Sequence, residues 1–273
     1  MSRSVVRSNS LVKKAAGVAQ DVAAINFIAS SKPLKEALKS ANLLKTLKFN
    51  TLISGEHGTG RHTLASLMMP DVPCVHGDDA ELYTFIENSP QLIVDDIGKI
   101  DLYPKFFQTL KKHGTQIIAI ADETINLGEY TSFFSVRITL PPLKERPEDI
   151  IPLAEKFKME ALHLFGEDEE SEFELDHEKL DISGNAYSLR KSVFLQYLAS
   201  KIGKDEILDL MEAYITCHLD EGEEIYRRYL YLYEVPLIKA GTKRFKSQLK
   251  MSQVFGLNRN TLRKKINEWK EYL

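Results

Sequence analysis

Four short apolar runs recur along the first half of the chain: "FNTLISG" (49–55), "QLIVDDIG" (91–98), "TQIIAIAD" (115–122) and "SVRITL" (135–140). Helix-length stretches or loops separate them. Runs this apolar and β-branched bury both faces when they form strands. Strands of that kind alternating with helices predict an α/β layer around a largely parallel sheet. Before the first run, "PLKEALKSANLLKTL" (33–47) sets Leu34, Leu38, Ala41, Leu44 and Leu47 at helical spacing, with Ser31 as a cap ahead of Pro33. "LYPKFFQTLKKHG" (102–114) predicts a second helix between strands. After Pro141 and Pro142 the strand signal stops. "RPEDIIPLAEKFKMEALHLFG" (146–166) reads as a helix with Pro147 and acids in its first turn, ending near Gly166. "EDEESEFELDHEKLD" (167–181) reads as a solvated acidic connector, and helices with breaks at Gly184, Gly203, Gly222 and Gly241 fill the rest.

The totals exclude several classes. A chain of 273 residues with 43% apolar and 27% charged residues has ample material for a core, which argues against wholesale disorder. Cys74 and Cys217 stand far apart, without the spacing of a zinc site or a disulfide framework, and a reducing cytoplasm fits that usage. No apolar run is long enough to span a membrane, and "MSRSVVRSNSLVKKAAGVAQD" lacks the apolar core of a signal peptide. The net charge of −3 hides an asymmetry: residues 239–273 carry ten Lys/Arg against two Glu, so the body before them is acidic. A basic end on an acidic body points to nucleic acid.

That basic end holds "KSQLKMSQVFGLNRNTLRKKINEWK" (246–270), which divides at Gly256 into two short helices. Leu249, Val254 and Phe255 are available to pack on the first, and Leu262, Ile266 and Trp269 form a stripe on the second. Asn258, Arg259, Thr261, Arg263 and Lys264 then face outward or flank the stripe. A glycine turn between two helices suits a helix-turn-helix, whose second helix offers its first residues to base edges in the major groove. Arg reads guanine and Asn reads adenine with paired hydrogen bonds, while Thr and Lys more often grip phosphate. A bare basic amphipathic helix is more often a solvated surface element. The charge concentration and the glycine in register argue for the DNA reading.

The ending "GLNRNTLRKK" (256–265) also resembles the Fis-type helix-turn-helix. That resemblance implies a homodimer formed through preceding helices, for which "GEEIYRRYLYLYEVPLIKAGTKRF" (222–245) offers Ile225, Leu230, Leu232, Val235 and Leu237. It implies base reading by Asn258 and Arg259 and backbone contacts from Thr261, Arg263 and Lys264. Gln248 is retained at the start of the preceding helix, where "SQL" stands for the family's usual Asn-Gln-Ser/Thr.

The remaining motif is "GEHGTGRH" (55–62), a G-x-x-x-x-G loop between a strand and a helix. Such loops aim backbone N–H groups at phosphates. Gly55, Gly58, Thr59, Gly60, Arg61 and His62 are therefore the candidate nucleotide-binding residues. Arg61 stands where a P-loop carries Lys, and His62 where it carries the Ser or Thr whose hydroxyl holds magnesium. Together with "SSKPLKEAL", "LIVDDIG", "LPPLKERPEDIIPLAEKF" and "SGNAYSLR", the loop resembles the AAA+ domain of sigma-54-dependent activators, the bacterial enhancer-binding proteins, over roughly Phe27 to Ile202. The resemblance implies ATP or ADP with magnesium as cofactor, Asp95 as the residue toward the metal, and Asp96 where the family has its catalytic glutamate.

It also exposes what is missing. Too few residues separate the helix after the loop from "LIVDDIG" to hold the G-A-F-T-G-A loop that engages sigma-54, and no such string occurs. The arginine-finger positions fall in "LGEYTSFF" (127–134), which has no Arg. The lid arginine aligns with Tyr187, and Arg190 three residues later is its sole substitute. Every charged part that would stabilise a transferring phosphoryl group is altered.

The expected organisation is an N-terminal tail (1–26, too short for a receiver domain), a degenerate AAA+ α/β subdomain with a parallel sheet (27–143), an all-α lid (144–203), and an all-α dimerisation and Fis-type DNA-binding domain (204–273). The expected function is a cytoplasmic, nucleoid-associated regulator of transcription that binds double-stranded DNA as a homodimer without sigma-54 remodelling. RNA polymerase is a further partner in that reading, and no membrane is. Two alternatives stay open: an ATP-hydrolysing AAA+ activator and a Fis-like nucleoid-structuring protein.

Overall fold

In a computed structural model, the structure describes residues 27–165, 173–220 and 222–273. The tail read over residues 1–26 and the most acidic part of the connector, residues 166–172, lie outside them. The chain divides into two compact units, the first ending at Ser200 and the second covering Lys201–Leu273.

The first unit is built on five strands: β1 (Thr51–Gly55), β2 (Cys74–His76), β3 (Gln91–Asp95), β4 (Gln116–Ala121) and β5 (Val136–Leu140). They form one sheet in the order β2-β3-β4-β1-β5, with every pairing parallel and Ile53 of β1 opposite Ile120 and Ile138. Four of them are the runs read from the sequence. The fifth, β2, is an addition: "CVH" is three residues long and buries only Val75, too little to register as a periodic signal.

Two helical layers explain why the strand sequences are apolar throughout. On one face α3 (Leu82–Asn88) and α4 (Tyr103–His113) pack Leu82, Ile86, Phe106, Phe107 and Leu110 against Leu52, Leu92, Val94 and Ile117. On the other, α1 (Lys32–Leu44) and α2 (Arg61–Met68) pack Leu34, Ala41, Leu64 and Met68 against Ile53, Ile93, Ile118 and Ile138. Neighbours such as Leu52 and Ile53 thus serve opposite cores, as a period of two demands. Because all strands run the same way, Gly55, Asp95, Ala121 and Leu140 finish at one edge, where α/β sheets bind ligands.

The rest of this unit is helical. Pro147 opens a 3-10 turn (Pro147–Asp149) that leads into α5 (Ile150–Leu164). Leu143, Ala154 and Phe157 meet Leu189 and Val193 of α6 (Asn185–Lys201). The connector is not wholly solvated. Phe173 is buried with Ala161, Leu162 and Tyr197, because an aromatic ring within the acidic run gains more in a core than in water.

The second unit holds α7 (Lys204–His218), α8 (Ile225–Tyr229), α9 (Tyr231–Phe245), α10 (Gln248–Val254) and α11 (Arg259–Glu268). Gly184, Gly203 and Gly222 fall between helices as read, but Gly241 does not break one. It lies inside α9, where an added Cβ would meet Phe255 Cζ at 2.5 Å and Met251 Sδ at 2.7 Å. The glycine is there for close helix packing, and Gly241→Val is expected to cost this unit about 1–3 kcal/mol, read by urea denaturation. Among the described residues no helix is long and apolar enough to cross a membrane.

Candidate functional site

The glycine-rich loop joins the end of β1 to the start of α2. Gly55, Gly58 and Gly60 all adopt positive φ (153°, 79° and 102°), backbone that L side chains rarely take, so the motif's glycines are required by conformation. Gly60 precedes the first turn of α2, whose leading N–H groups have no acceptor within the helix. Thr59 turns its hydroxyl back to the Glu56 carbonyl at 2.9 Å. The loop presents backbone donors and a helix N-terminus, the requirements of an anion cradle.

The side chains that follow do not point toward such an anion. Arg61 is buried, and its Nη1 donates to the carbonyl of Ala121, the last residue of β4. His62 Nε2 lies 2.8 Å from Asp95 Oδ1 at the end of β3. That hydrogen bond, working against partial burial, holds the Asp95 carboxyl below the usual range. Asp96 takes a left-handed conformation (φ 46°) and brings a carboxylate oxygen to 3.9 Å from His76 Nε2. His76 Nδ1 bonds Asp78 at 2.5 Å, which raises the pKa of its ring.

Magnesium fits this arrangement poorly. It demands a near-ideal octahedron of oxygen ligands, whereas Asp95 is paired with an imidazole and the neighbouring hydroxyl of Thr59 is turned to a carbonyl. Among the described residues no three His, Cys, Asp or Glu side chains are arranged to hold a metal ion.

The loop is clamped from the helical part of the same unit. Asn185, buried and at φ 55°, donates from Nδ2 to Glu56 Oε2 (3.0 Å) and the His57 carbonyl (2.9 Å). Its Oδ1 accepts from Leu143 N–H at 2.6 Å. Ala186 N–H donates to the Gly58 carbonyl at 3.1 Å. A second clamp comes from Arg146, whose Nη2 donates to the Thr59 carbonyl (2.8 Å) and whose Nε donates to that of Pro141 (3.0 Å). Beside the loop lies a cavity of about 110 Å³ lined by Phe27, Gly60, Thr63, Leu153, Lys156 and Phe157 among others. Ligand pockets typically measure about 300–1,000 Å³, so this one is the size of a fragment of a nucleotide. Asn185, Arg146 and Lys156 were not singled out from the sequence, although "SGN" and "KERPED" stood within the quoted motifs. The loop contacts of Asn185 and Arg146 lie 87 or more positions away along the chain.

The cations sought elsewhere for phosphate chemistry are committed. Arg190, the proposed substitute for the lid arginine, forms a bidentate pair with Glu160 (Nη2–Oε1 2.7 Å) and lies over the Phe194 ring at 4.3 Å. Tyr187, at the lid-arginine position, is exposed and sets its ring edge-on to His57. The 127–134 stretch packs inward: Tyr130 stacks on Phe107 at 4.8 Å, and Phe133 and Phe134 join them.

In the second unit the two helices read around Gly256 form as expected, with ends defined by local hydrogen bonds. The Ser247 hydroxyl accepts from Lys250 N–H to cap α10. Gly256 sits at φ 62°, with Gly256 N–H bonded to the Gln253 carbonyl (3.2 Å) and Leu257 N–H to that of Ser252 (2.9 Å). This paired-bond helix stop needs glycine at its left-handed residue. Asn258 caps α11, its Oδ1 accepting from Asn260 N–H at 2.8 Å. Leu262 is buried and Ile266 and Trp269 half-buried, whereas Leu249 and Val254, read as packing residues, are exposed and Met251 and Ser252 take the inner face. Glu234 of α9, itself buried, accepts from Lys265 Nζ and from Trp269 Nε1 (2.7 Å), so Lys265 faces the interior. Gln248, Asn258, Arg259, Thr261, Arg263 and Lys264 are all exposed.

No protein-family model and no curated protein matches the chain. Solved structures do. NtrX from Brucella abortus in complex with ADP aligns over 96% of this chain and 74% of its own, at 16% identity and a TM-score of 0.53. The same protein in complex with ATP aligns over the same shares at 16% identity and a TM-score of 0.51. Identity this low speaks for the fold alone. The parallel five-stranded sheet with its surrounding helices is an AAA+ P-loop fold, as the resemblance implied.

Proposed function

We propose that this protein is a sequence-specific DNA-binding regulator of transcription, in which a degenerate AAA+ body carries a Fis-type helix-turn-helix. The single observation that carries the reading is α11: a capped ten-residue helix behind a glycine turn, seated by Leu262, with Arg259, Thr261, Arg263 and Lys264 all exposed. Such a face meets the requirements for major-groove docking, with Arg reading bases and its neighbours holding phosphates. Asn258 is better assigned to capping than to reading adenine, because its acceptor oxygen is already engaged.

Homodimerisation belongs to the same reading. Val235 of the expected interface is buried within its own unit, but α7 has no buried side chain and exposes Ile207, Leu208, Leu210 and Tyr214. An apolar helix surface of that kind marks an association site. α7 therefore joins α8 and α9 as the dimerisation element, and Leu210→Glu is expected to convert the dimer to monomers in analytical ultracentrifugation.

The P-loop is assigned to binding ADP or ATP, with hydrolysis weak or absent. Asp95 is bonded to His62, Arg61 to a main-chain carbonyl and Arg190 to Glu160, so none of these three is poised to stabilise a transferring phosphoryl group. The absent G-A-F-T-G-A string speaks against sigma-54 remodelling. Genome-wide occupancy of the tagged protein tests the whole. Discrete sites sharing a near-palindromic sequence are expected, and dense occupancy without a shared sequence would favour a nucleoid-structuring role instead. Sustained ATP turnover abolished by Arg61→Ala would overturn the non-hydrolysing reading.

A further inference from the structure

The disagreement between magnesium and the loop leads further. We propose that the Gly58–His62 loop binds the phosphates of a nucleoside diphosphate or triphosphate without a divalent metal ion, the His62–Asp95 pair filling the place a metal bridge would require. The proposal rests on reading this loop as a phosphate cradle.

Several side-chain oxygens that could serve a hard cation beside the loop already have other partners. Asp95 Oδ1 is 2.8 Å from His62 Nε2. Thr59 Oγ1 donates to the Glu56 carbonyl, Ser54 Oγ pairs with Thr139 Oγ1 at 3.0 Å, and Glu56 accepts from Asn185. The Asp96 carboxylate is turned toward His76. Two features suit an anion directly: the leading N–H groups of α2 and a loop held open by the positive-φ glycines Gly58 and Gly60. A helix N-terminus with fixed backbone donors supports phosphate without a metal's help.

The test measures binding of a fluorescent ADP analogue, N-methylanthraniloyl-ADP, by the full chain in excess magnesium and in excess EDTA. The wild type is expected to bind equally in both. His62→Thr releases Asp95 and supplies a hydroxyl, and is expected to bind about tenfold more tightly with magnesium than with EDTA, equivalent to about 1.4 kcal/mol. His62→Gln keeps a donor for Asp95 and should remain indifferent to the metal. Circular dichroism melting confirms that the variants fold. Loss of wild-type binding in EDTA would overturn metal independence while leaving the cradle intact. Indifference of His62→Thr would overturn the role given to the His62–Asp95 pair. No binding by any variant in either buffer would overturn the cradle reading itself.

Discussion

Asp149→Ala is expected to destabilise the first unit by about 3–5 kcal/mol, the loss typical of a buried charge stripped of its partner. Asp149 is 1% exposed and Arg146 3%, with Arg146 Nη1 3.6 Å from Asp149 Oδ2. Burial pulls the Arg146 pKa down, and the neighbouring Asp149 opposes that pull. Asp149 Oδ1 also accepts from Ser30 N–H (2.6 Å) and Ser31 N–H (2.8 Å), and Oδ2 from the Ser31 hydroxyl (2.6 Å). Ser31 thus stands at the start of α1 but spends its hydroxyl on this carboxylate rather than on capping the helix. Alanine would remove all four interactions and leave the guanidinium buried with only the carbonyls of Thr59 and Pro141 as acceptors. Because one of those carbonyls belongs to the glycine-rich loop, nucleotide affinity should fall with stability. Urea denaturation followed by tryptophan-independent circular dichroism reads the effect. A loss under about 1 kcal/mol would show that the pair behaves like an exposed ion pair.

Arg259→Ala is expected to weaken the preferred DNA site by about 1–3 kcal/mol and to relax sequence preference at one base pair of each half-site. Lys264→Ala should instead weaken all sequences alike and flatten the dependence of affinity on salt, since a phosphate contact releases counterions without reading bases. Arg259 is the first residue of α11 and is exposed, beside the Asn258 cap, whereas Lys264 lies more than one turn further along the helix. Competition binding against specific and scrambled duplexes at several salt concentrations separates the two. Equal loss on every sequence for Arg259→Ala would remove its base-reading role. Glu234→Ala would distinguish a structural contribution: it frees Lys265 and the Trp269 indole from their buried acceptor, and should cost about 1–3 kcal/mol in folding before any change in sequence preference.

Much of the architecture was legible because local pattern and tertiary environment agree. Runs such as "TQIIAIAD" are apolar at successive positions since both faces of β4 are covered, and "GLNRNTLRKK" carries its own turn glycine, cap and buried Leu262 within ten residues. Where a local signal was weak or double in meaning, the reading failed. β2 is too short to show a period. Gly241 has the residue type of a helix stop but the role of a packing contact, and nothing within its own helix distinguishes the two. Phe173 was masked by the acidic residues around it.

The sequence by itself determined most of the backbone plan: four of the five strands with the helices between them, the glycine turns of both loops, and the cationic face of α11. These depend on interactions within a few residues, where propensity, capping and periodicity act. Only the tertiary structure decided what the long polar side chains do. Arg61 is turned to the carbonyl of Ala121, 60 positions away, His62 to Asp95, and Arg190 to Glu160, 30 positions back. A guanidinium or imidazole is committed by whichever remote segment the fold brings within about 3 Å of it, and that distance is set by packing of the sheet and helices rather than by neighbours along the chain.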